Sequence, residues 1–259
     1  MDNGFGFGIC RLPVVPVMQG AGWSFQRADE MLFGEPYRII GPSSGSWLPV
    51  TCADMKLAGA CDGWIHAMHH HGITADYYAL LIASDFRIST EPSASLLFRK
   101  VPMTVVRGSL VPLSAGELFK VEEQLAFNGE AKVLSQRRDA EFLCEAAKSL
   151  NGVAELPGGR TPFGMDPTGW ATQCIRLAGI PTGTGINALR RLGEPSDPSE
   201  SLPGDLCILE RGADVRPGFM LSGGRVIFCD GTIHSEELDS TLPSAGGPWT
   251  LLEARRVFA

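Results

Sequence analysis

The residues of this 259-residue chain best placed to do chemistry centre on one stretch, Gly158-Gly159-Arg160-Thr161-Pro162-Phe163-Gly164-Met165-Asp166-Pro167-Thr168-Gly169-Trp170. Asp166 is a strong N-cap type. Pro167 suits the first helical position, where its missing N–H has no intrahelical partner, and Gly179 is a natural stop after Leu177-Ala178. The pattern predicts a helix over residues 167–178. A thiol in the first turn of such a helix would feel the positive end of the helix dipole, which lowers its pKa and favours the nucleophilic thiolate. Proline at 167 keeps the helix start and abolishes that chemistry. Taken alone, Asp-Pro-Thr-Gly reads as a well-capped helix entrance.

Thiol catalysis also needs a base within hydrogen-bond reach and a group that orients the base. Cys174 lies about two helical turns beyond Pro167 on the same face and reads as a small buried hydrophobe. Cys229 with His234 is a conceivable substitute pair, although Thr232-Ile233-His234-Ser235 reads as a turn. His66, His69, His70 and His71 raise the question of a metal. No carboxylate or thiol sits at ligand spacing within that run, and one strand cannot aim adjacent histidines at one ion. They read as solvated residues at a strand end or linker. Neither a metal nor a cofactor is implied.

The surroundings of Pro167 carry a resemblance. Residues 147–159 (AKSLNGVAELPGG), 158–170, Arg176-Leu177-Ala178-Gly179-Ile180-Pro181 and Leu202-Pro203-Gly204-Asp205-Leu206-Cys207-Ile208 follow one another as in the NlpC-type cell-wall cysteine peptidases, a papain-like family. That family's central segment runs Gly-Gly-(Arg or Asn)-Ser-x-x-Gly-(hydrophobic)-Asp-Cys-Ser-Gly, and its Cys opens a helix. Pro167 stands at the Cys. Arg216, in Arg216-Pro217-Gly218-Phe219-Met220, matches the base His, and Phe228, in Val226-Ile227-Phe228-Cys229, matches the orienting residue. Guanidinium stays protonated and cannot act as a base, and a phenyl ring cannot orient an imidazole. The resemblance therefore implies a papain-like α+β domain over residues 137–259 without its catalytic set.

The first half reads as strands. Val14-Val15-Pro16-Val17-Met18, Tyr37-Arg38-Ile39-Ile40, Trp47-Leu48-Pro49-Val50 and Gly63-Trp64-Ile65 are short apolar runs between Gly, Pro and Ser turns. Residues 32–40, 46–50 and 61–65 resemble a bacterial SH3-like domain, assigned to residues 1–72, with residues 55–60 as an inserted loop. A second, divergent SH3-like domain is assigned to residues 73–136. Its strands are expected at residues 85–88, 96–98, 103–106 and 119–121, with Asn128-Gly129 as the turn of a hairpin between 123–126 and 131–134. Ser114-Ala115-Gly116-Glu117 offers a helical capping box as the alternative. Residues 136–150 carry Phe142, Leu143, Ala146, Ala147 and Leu150 on one helical face, with Gly152 as a stop. The fold class expected is α+β, two small SH3-like β-barrels followed by the NlpC-type domain.

A net charge of −7 without a basic run argues against nucleic acid and against an anionic membrane. No stretch approaches the roughly 18 apolar residues of a membrane span, and the N-terminus lacks the features of a secretion signal. Seven cysteines, an odd number without a Cys-x-x-Cys spacing, fit a reducing compartment better than a disulfide framework. These features point to the cytoplasm. Two SH3-like domains before an NlpC-type domain look like the γ-D-glutamyl-L-diamino acid endopeptidases that trim murein peptides during peptidoglycan recycling. By that likeness Asp62 and Asp166 match the acids that hold a free amine, and Thr168 matches a polar neighbour of the nucleophile. A further polar contact of that group, near Ile186, is lost. Arg216 could pair with a ligand carboxylate. The resemblance implies an inactive homologue that binds a murein peptide, or a subunit that partners an active relative or another protein. The alternatives are a hydrolase with a relocated catalytic set and a purely structural interaction module.

Overall fold

The computed structural model describes residues 6–52, 60–112, 125–237 and 248–258. The chain forms two compact units, residues 1–136 and residues 137–259.

In the first unit a seven-stranded sheet is formed by Phe7–Ile9, Val14–Met18, Arg27–Leu32, Pro36–Ile39, Trp47–Thr51, Gly63–His66 and Gly72–Ile73. Its core is Cys10, Val15, Val17, Met31, Tyr37, Val50, Cys52, Ala60 and Ile65. The Arg27–Leu32 strand is not among the expected ones and carries two acids, Asp29 and Glu30. Both are buried. Asp29 accepts from the N–H groups of Glu30 (2.7 Å) and Cys61 (2.9 Å), so its carboxylate ties this strand to the approach of Gly63–His66. The segment 75–83 also departs from expectation. Ala75–Ala83 is a helix capped by Thr74, whose hydroxyl accepts from Tyr77 N.

Two three-stranded sheets follow. One consists of Val101–Val106, Ser93–Phe98 and Leu125–Asn128, the other of Leu110–Pro112, Phe86–Ser89 and Ala131–Val133. The expected hairpin around Asn128-Gly129 is corrected here. Leu125–Asn128 pairs with Ser93–Phe98, while Ala131–Val133 pairs with Phe86–Ser89. Glu130 is held on both sides, its N–H donating to Glu91 Oε2 and its carbonyl accepting from Thr90 N, and this splays the strands to separate partners. The expected strand at 119–121, the capping-box alternative at 114–117 and most of the proposed 55–60 insertion lie outside the described residues.

His66 ends the Gly63–His66 strand, as expected, but the histidine run that follows is partly buried rather than solvated. His66 caps a single 3-10 turn, Ala67–His69, by accepting from Met68 N. His66 stacks on Trp23 with an interplanar angle of 13°, and both His66 and Trp23 meet Trp47 edge-on. His70 turns to Tyr37. The Tyr37 oxygen accepts from His71 N and lies 2.9 Å from His70 Nδ1. Burial lowers the pKa of His69, His70 and His71. A folded-state pKa below the unfolded value leaves stability unchanged while both states are neutral. Stability then falls as pH drops through the unfolded histidine value of about 6.5, because the unfolded chain binds protons first. The thermal midpoint of the first unit should therefore decline between pH 7.5 and pH 5. A midpoint that holds steady or rises over that interval would contradict the assignment.

The second unit is a six-stranded antiparallel sheet with helices against one face. Its strand order is Glu194–Ser196, Thr250–Arg256, Leu206–Arg211, Asp214–Met220, Arg225–Asp230, Thr232–Glu237. The helix expected over 136–150 is shorter, Ala140–Lys148, because Asp139 caps it by accepting from Phe142 N. The other main helix is Pro167–Leu177, closed by Gly179 at φ +75°. Strand alternation divides the sheet. Leu206, Ile208, Phe219, Ile227, Cys229 and Ile233 face the helices, with Trp170 packed on Phe219 at 5.2 Å between ring centres. Cys207, Leu209, Met220, Val226, Phe228 and Trp249 form a second cluster on the opposite face. Trp170 and Phe219 have no exposed surface. At about 25 cal/mol per Å² of apolar area, such rings contribute several kcal/mol each, which fixes the helix on the sheet.

Candidate functional site

The helix entrance is built by close backbone packing. A short hairpin, Arg160–Thr161 with Gly164–Met165, leads into Asp166, whose N–H donates to Gly159 O at 2.8 Å. A Cβ on Gly159 would lie 2.4 Å from Gly164 O, and one on Gly169 would lie 2.7 Å from Gly159 O. The glycines at 159 and 169 are therefore what lets the first helical turn rest on the preceding loop. Asp166 Oδ1 accepts from Thr168 N (2.9 Å), Thr168 Oγ1 (2.7 Å) and, at longer range, Gly169 N (3.4 Å). Its Oδ2 faces Gly158 N at 3.5 Å. Pro167 occupies the first helical position, so the place most favourable to a thiolate carries a side chain with nothing to ionise.

Asp166 thus has a structural role that an uncharged cap could fill. Asp166→Ala should cost about 1–2 kcal/mol of stability, and Asp166→Asn, which keeps a capping oxygen, less than about 0.5 kcal/mol. Urea unfolding of the two variants checks this. Equal losses would show that the charge, not the cap, matters.

Arg216 pairs with Leu209, whose side chain belongs to the cluster on the sheet face away from the helices. Pro217 has no N–H, so the ladder between Asp214–Met220 and Arg225–Asp230 stops at Gly218↔Phe228. The carbonyl of Cys229, opposite Pro217, takes its hydrogen from Arg216 Nη1 instead, at 2.7 Å. The same nitrogen meets Glu155 Oε2 at 2.6 Å, and Nε donates to Asp214 Oδ2 at 3.0 Å. Glu155 Oε2 also accepts from Gly231 N at 2.8 Å, and the Glu155 backbone bridges to Met165. Glu155 therefore ties the segment before the helix entrance to the sheet. Burial opposes the charge on Arg216, but the hydrogen bonds it donates to Glu155 and Asp214 outweigh that and raise its pKa.

Beside it, Asp230 receives both Nη atoms of Arg211 (2.8 and 3.1 Å) and the Trp249 indole N–H (3.0 Å). Arg211 lies 4.2 Å over the Trp249 ring. Burial pushes the Asp230 carboxyl up, yet the Arg211 bonds, then Trp249, bring it below its ordinary value. Asp230, Arg211 and Trp249 have no counterpart in the sequence expectations, and Glu155 enters there only as a replacement for an aromatic of the resembled motif. Pro217 inside a strand is the one local signal, since it announces a carbonyl in need of a donor.

The other candidates separate. Phe228 is fully buried between Trp249, which it meets edge-on at 5.6 Å, and the tilted ring of His234 at 5.0 Å. Cys229 sits opposite Ile233, and His234 sits opposite Phe228. Opposed residues share a face and successive residues alternate, so Cys229 and His234 project from opposite faces of the sheet. Burial also pushes the Cys229 thiol up to about 12. They do not form a dyad. Cys174 is fully buried in the helix-side core. Asp62 belongs to the first unit, where it accepts from the Thr51 hydroxyl. Among the described residues no group of three or more His, Cys, Asp or Glu side chains is placed to hold a metal ion.

No family model and no curated protein matches the sequence. Solved structures do. A crystal structure of an NlpC/P60 family protein from Bacillus cereus ATCC 10987 superposes with a TM-score of 0.74 over 97% of this chain and 99% of its own, at 15% identity. The chain has the NlpC/P60 fold. A novel NlpC/P60 endopeptidase from Photobacterium damselae subsp. piscicida matches over 90% of this chain and 66% of its own, at 12% identity and a TM-score of 0.64. At these identities the likeness extends to the fold, within which Asp166-Pro167 opens the helix packed against the sheet.

Proposed function

We propose that this chain is a catalytically inactive homologue of the murein-peptide γ-D-glutamyl-L-diamino acid endopeptidases, and that it binds the peptide without cleaving it. The observation that carries the reading is Pro167 at the first turn of the helix, the position the resemblance assigns to the nucleophile. The reading extends to two SH3-like domains in the first unit and to Pro167, Arg216 and Phe228 as the degenerate catalytic positions. Asp166 Oδ2, with only a long contact to Gly158 N among the described residues, is the oxygen assigned to a ligand amine, with Thr168 beside it. Asp62 is assigned to a ligand amine by resemblance alone. A role for Arg216 in holding a ligand carboxylate finds less support, because Glu155 and Asp214 already balance its charge.

Calorimetric titration of the purified protein with L-Ala-γ-D-Glu-diaminopimelate tests the binding half. Saturable heat that disappears in Asp166→Asn, a variant that keeps the helix cap, is the expected result. Unchanged affinity in that variant would remove Asp166 from the site. No heat from the native protein would redirect the search to a protein partner.

A further inference from the structure

Trp47–Thr51 and Gly63–His66 pair antiparallel in the register Trp47↔His66, Leu48↔Ile65, Pro49↔Trp64 and Val50↔Gly63. One step outward, the Thr51 hydroxyl donates to Asp62 Oδ1 at 2.5 Å, so the two chains remain neighbours there. Extending the register two steps past its last pair, Val50↔Gly63, sets Cys52 against Cys61. Opposed residues share a face, and alternation from Val50 and Ile65, both in the core of this sheet, turns both cysteines inward. Cys52 is 2% exposed and Cys61 is half-buried at the margin; both are thiols. Directly opposed residues in antiparallel strands have Cα atoms roughly 4.5–5.5 Å apart, within the range of about 4.4–6.8 Å that a disulfide spans.

We propose that Cys52 and Cys61 form a reversible disulfide that staples these two strands together. The more accessible Cys61, as thiolate, attacks a small-molecule disulfide such as oxidised glutathione and expels one glutathione thiolate. The Cys52 thiolate then attacks the Cys61 sulfur of the mixed disulfide and expels the second. Two electrons pass to glutathione, and the two thiol protons end on its thiolates. The cross-link closes a short loop and removes conformations from the unfolded chain, so the midpoint of the first unit rises by roughly 5 °C or more. Cys10 lies in the same core and is the competing partner.

The sequence makes the test unambiguous. Lys56 separates the two cysteines, and the tryptic peptides 39–56 and 57–87 carry one cysteine each. The full-length protein is oxidised with glutathione disulfide in its native state, blocked with an alkylating agent and digested without reduction. The expected result is the two peptides joined, released by dithiothreitol, and an oxidation-dependent rise in midpoint that Cys61→Ser lacks. The mapping uses the native sequence, so it stands even if that variant folds poorly. Separate peptides, whether alkylated or carrying glutathione, or Cys52 joined to the peptide bearing Cys10, overturn the proposal.

Discussion

Pro167→Cys is expected to introduce a thiol that alkylates at pH 7 at least about 100-fold faster than Cys229 does. The substitution places sulfur at the positive end of a helix whose cap and first turn are already formed, and that field stabilises the thiolate. The Asp166 carboxylate opposes it, but its Oδ1 is engaged by Thr168. Cys229, by contrast, is fully buried, and burial pushes its thiol up to about 12, so it stays protonated at pH 7. Native-state iodoacetamide labelling followed by peptide mapping reads both rates in one sample. The single variant should react with the label and still hydrolyse nothing, since no base accompanies it. Labelling at 167 as slow as at Cys229 would mean that the helix entrance is closed and that the proposed site lies elsewhere.

Arg216→Ala should destabilise the second unit by roughly 2–3 kcal/mol. Its side chain is only 14% exposed, and its removal leaves Glu155 without its cation and the Cys229 carbonyl without the donor that Pro217 cannot supply. The partly exposed Asp214 contact adds little. Glu155→Ala in the same background should cost less than it does alone, because the two side chains act as one unit; a double-mutant cycle in urea gives the coupling. A loss under about 0.5 kcal/mol for Arg216→Ala would show that the pair does not hold the entrance segment to the sheet. The pH dependence has a definite sign. Asp230 has a depressed folded-state pKa, so its contribution is present above the unfolded carboxylate value near 4 and is lost as pH falls through the folded one.

What could be read from the sequence follows from how local each determinant is. The Pro167–Leu177 helix was legible because Asp166, Pro167 and Gly179 punctuate it within a few residues. Short strands such as Val14–Met18 and Trp47–Thr51 were legible from apolar runs between turns. Ala75–Ala83 was not: its sequence, ADYYALLIA, is apolar almost all round and shows no stripe, although Thr74 caps it. The Arg27–Leu32 strand was hidden by Asp29, whose carboxylate is satisfied by a segment about thirty residues away. Asn128-Gly129 signalled a turn correctly, but the destination of the strands it joins depends on Ser93–Phe98 and Phe86–Ser89. At the candidate site the same division holds. The cap is local, whereas Glu155 and Arg216 are 61 residues apart and meet only because the sheet brings them together.

The central claim is that the helix entrance has kept its architecture and lost its chemistry. It is tested most directly by mass spectrometry of L-Ala-γ-D-Glu-diaminopimelate after prolonged incubation with the purified native protein and, in parallel, with Cys229→Ser. The account predicts intact peptide in both. Release of diaminopimelate by the native protein would contradict it, and loss of that release in Cys229→Ser would identify a relocated nucleophile.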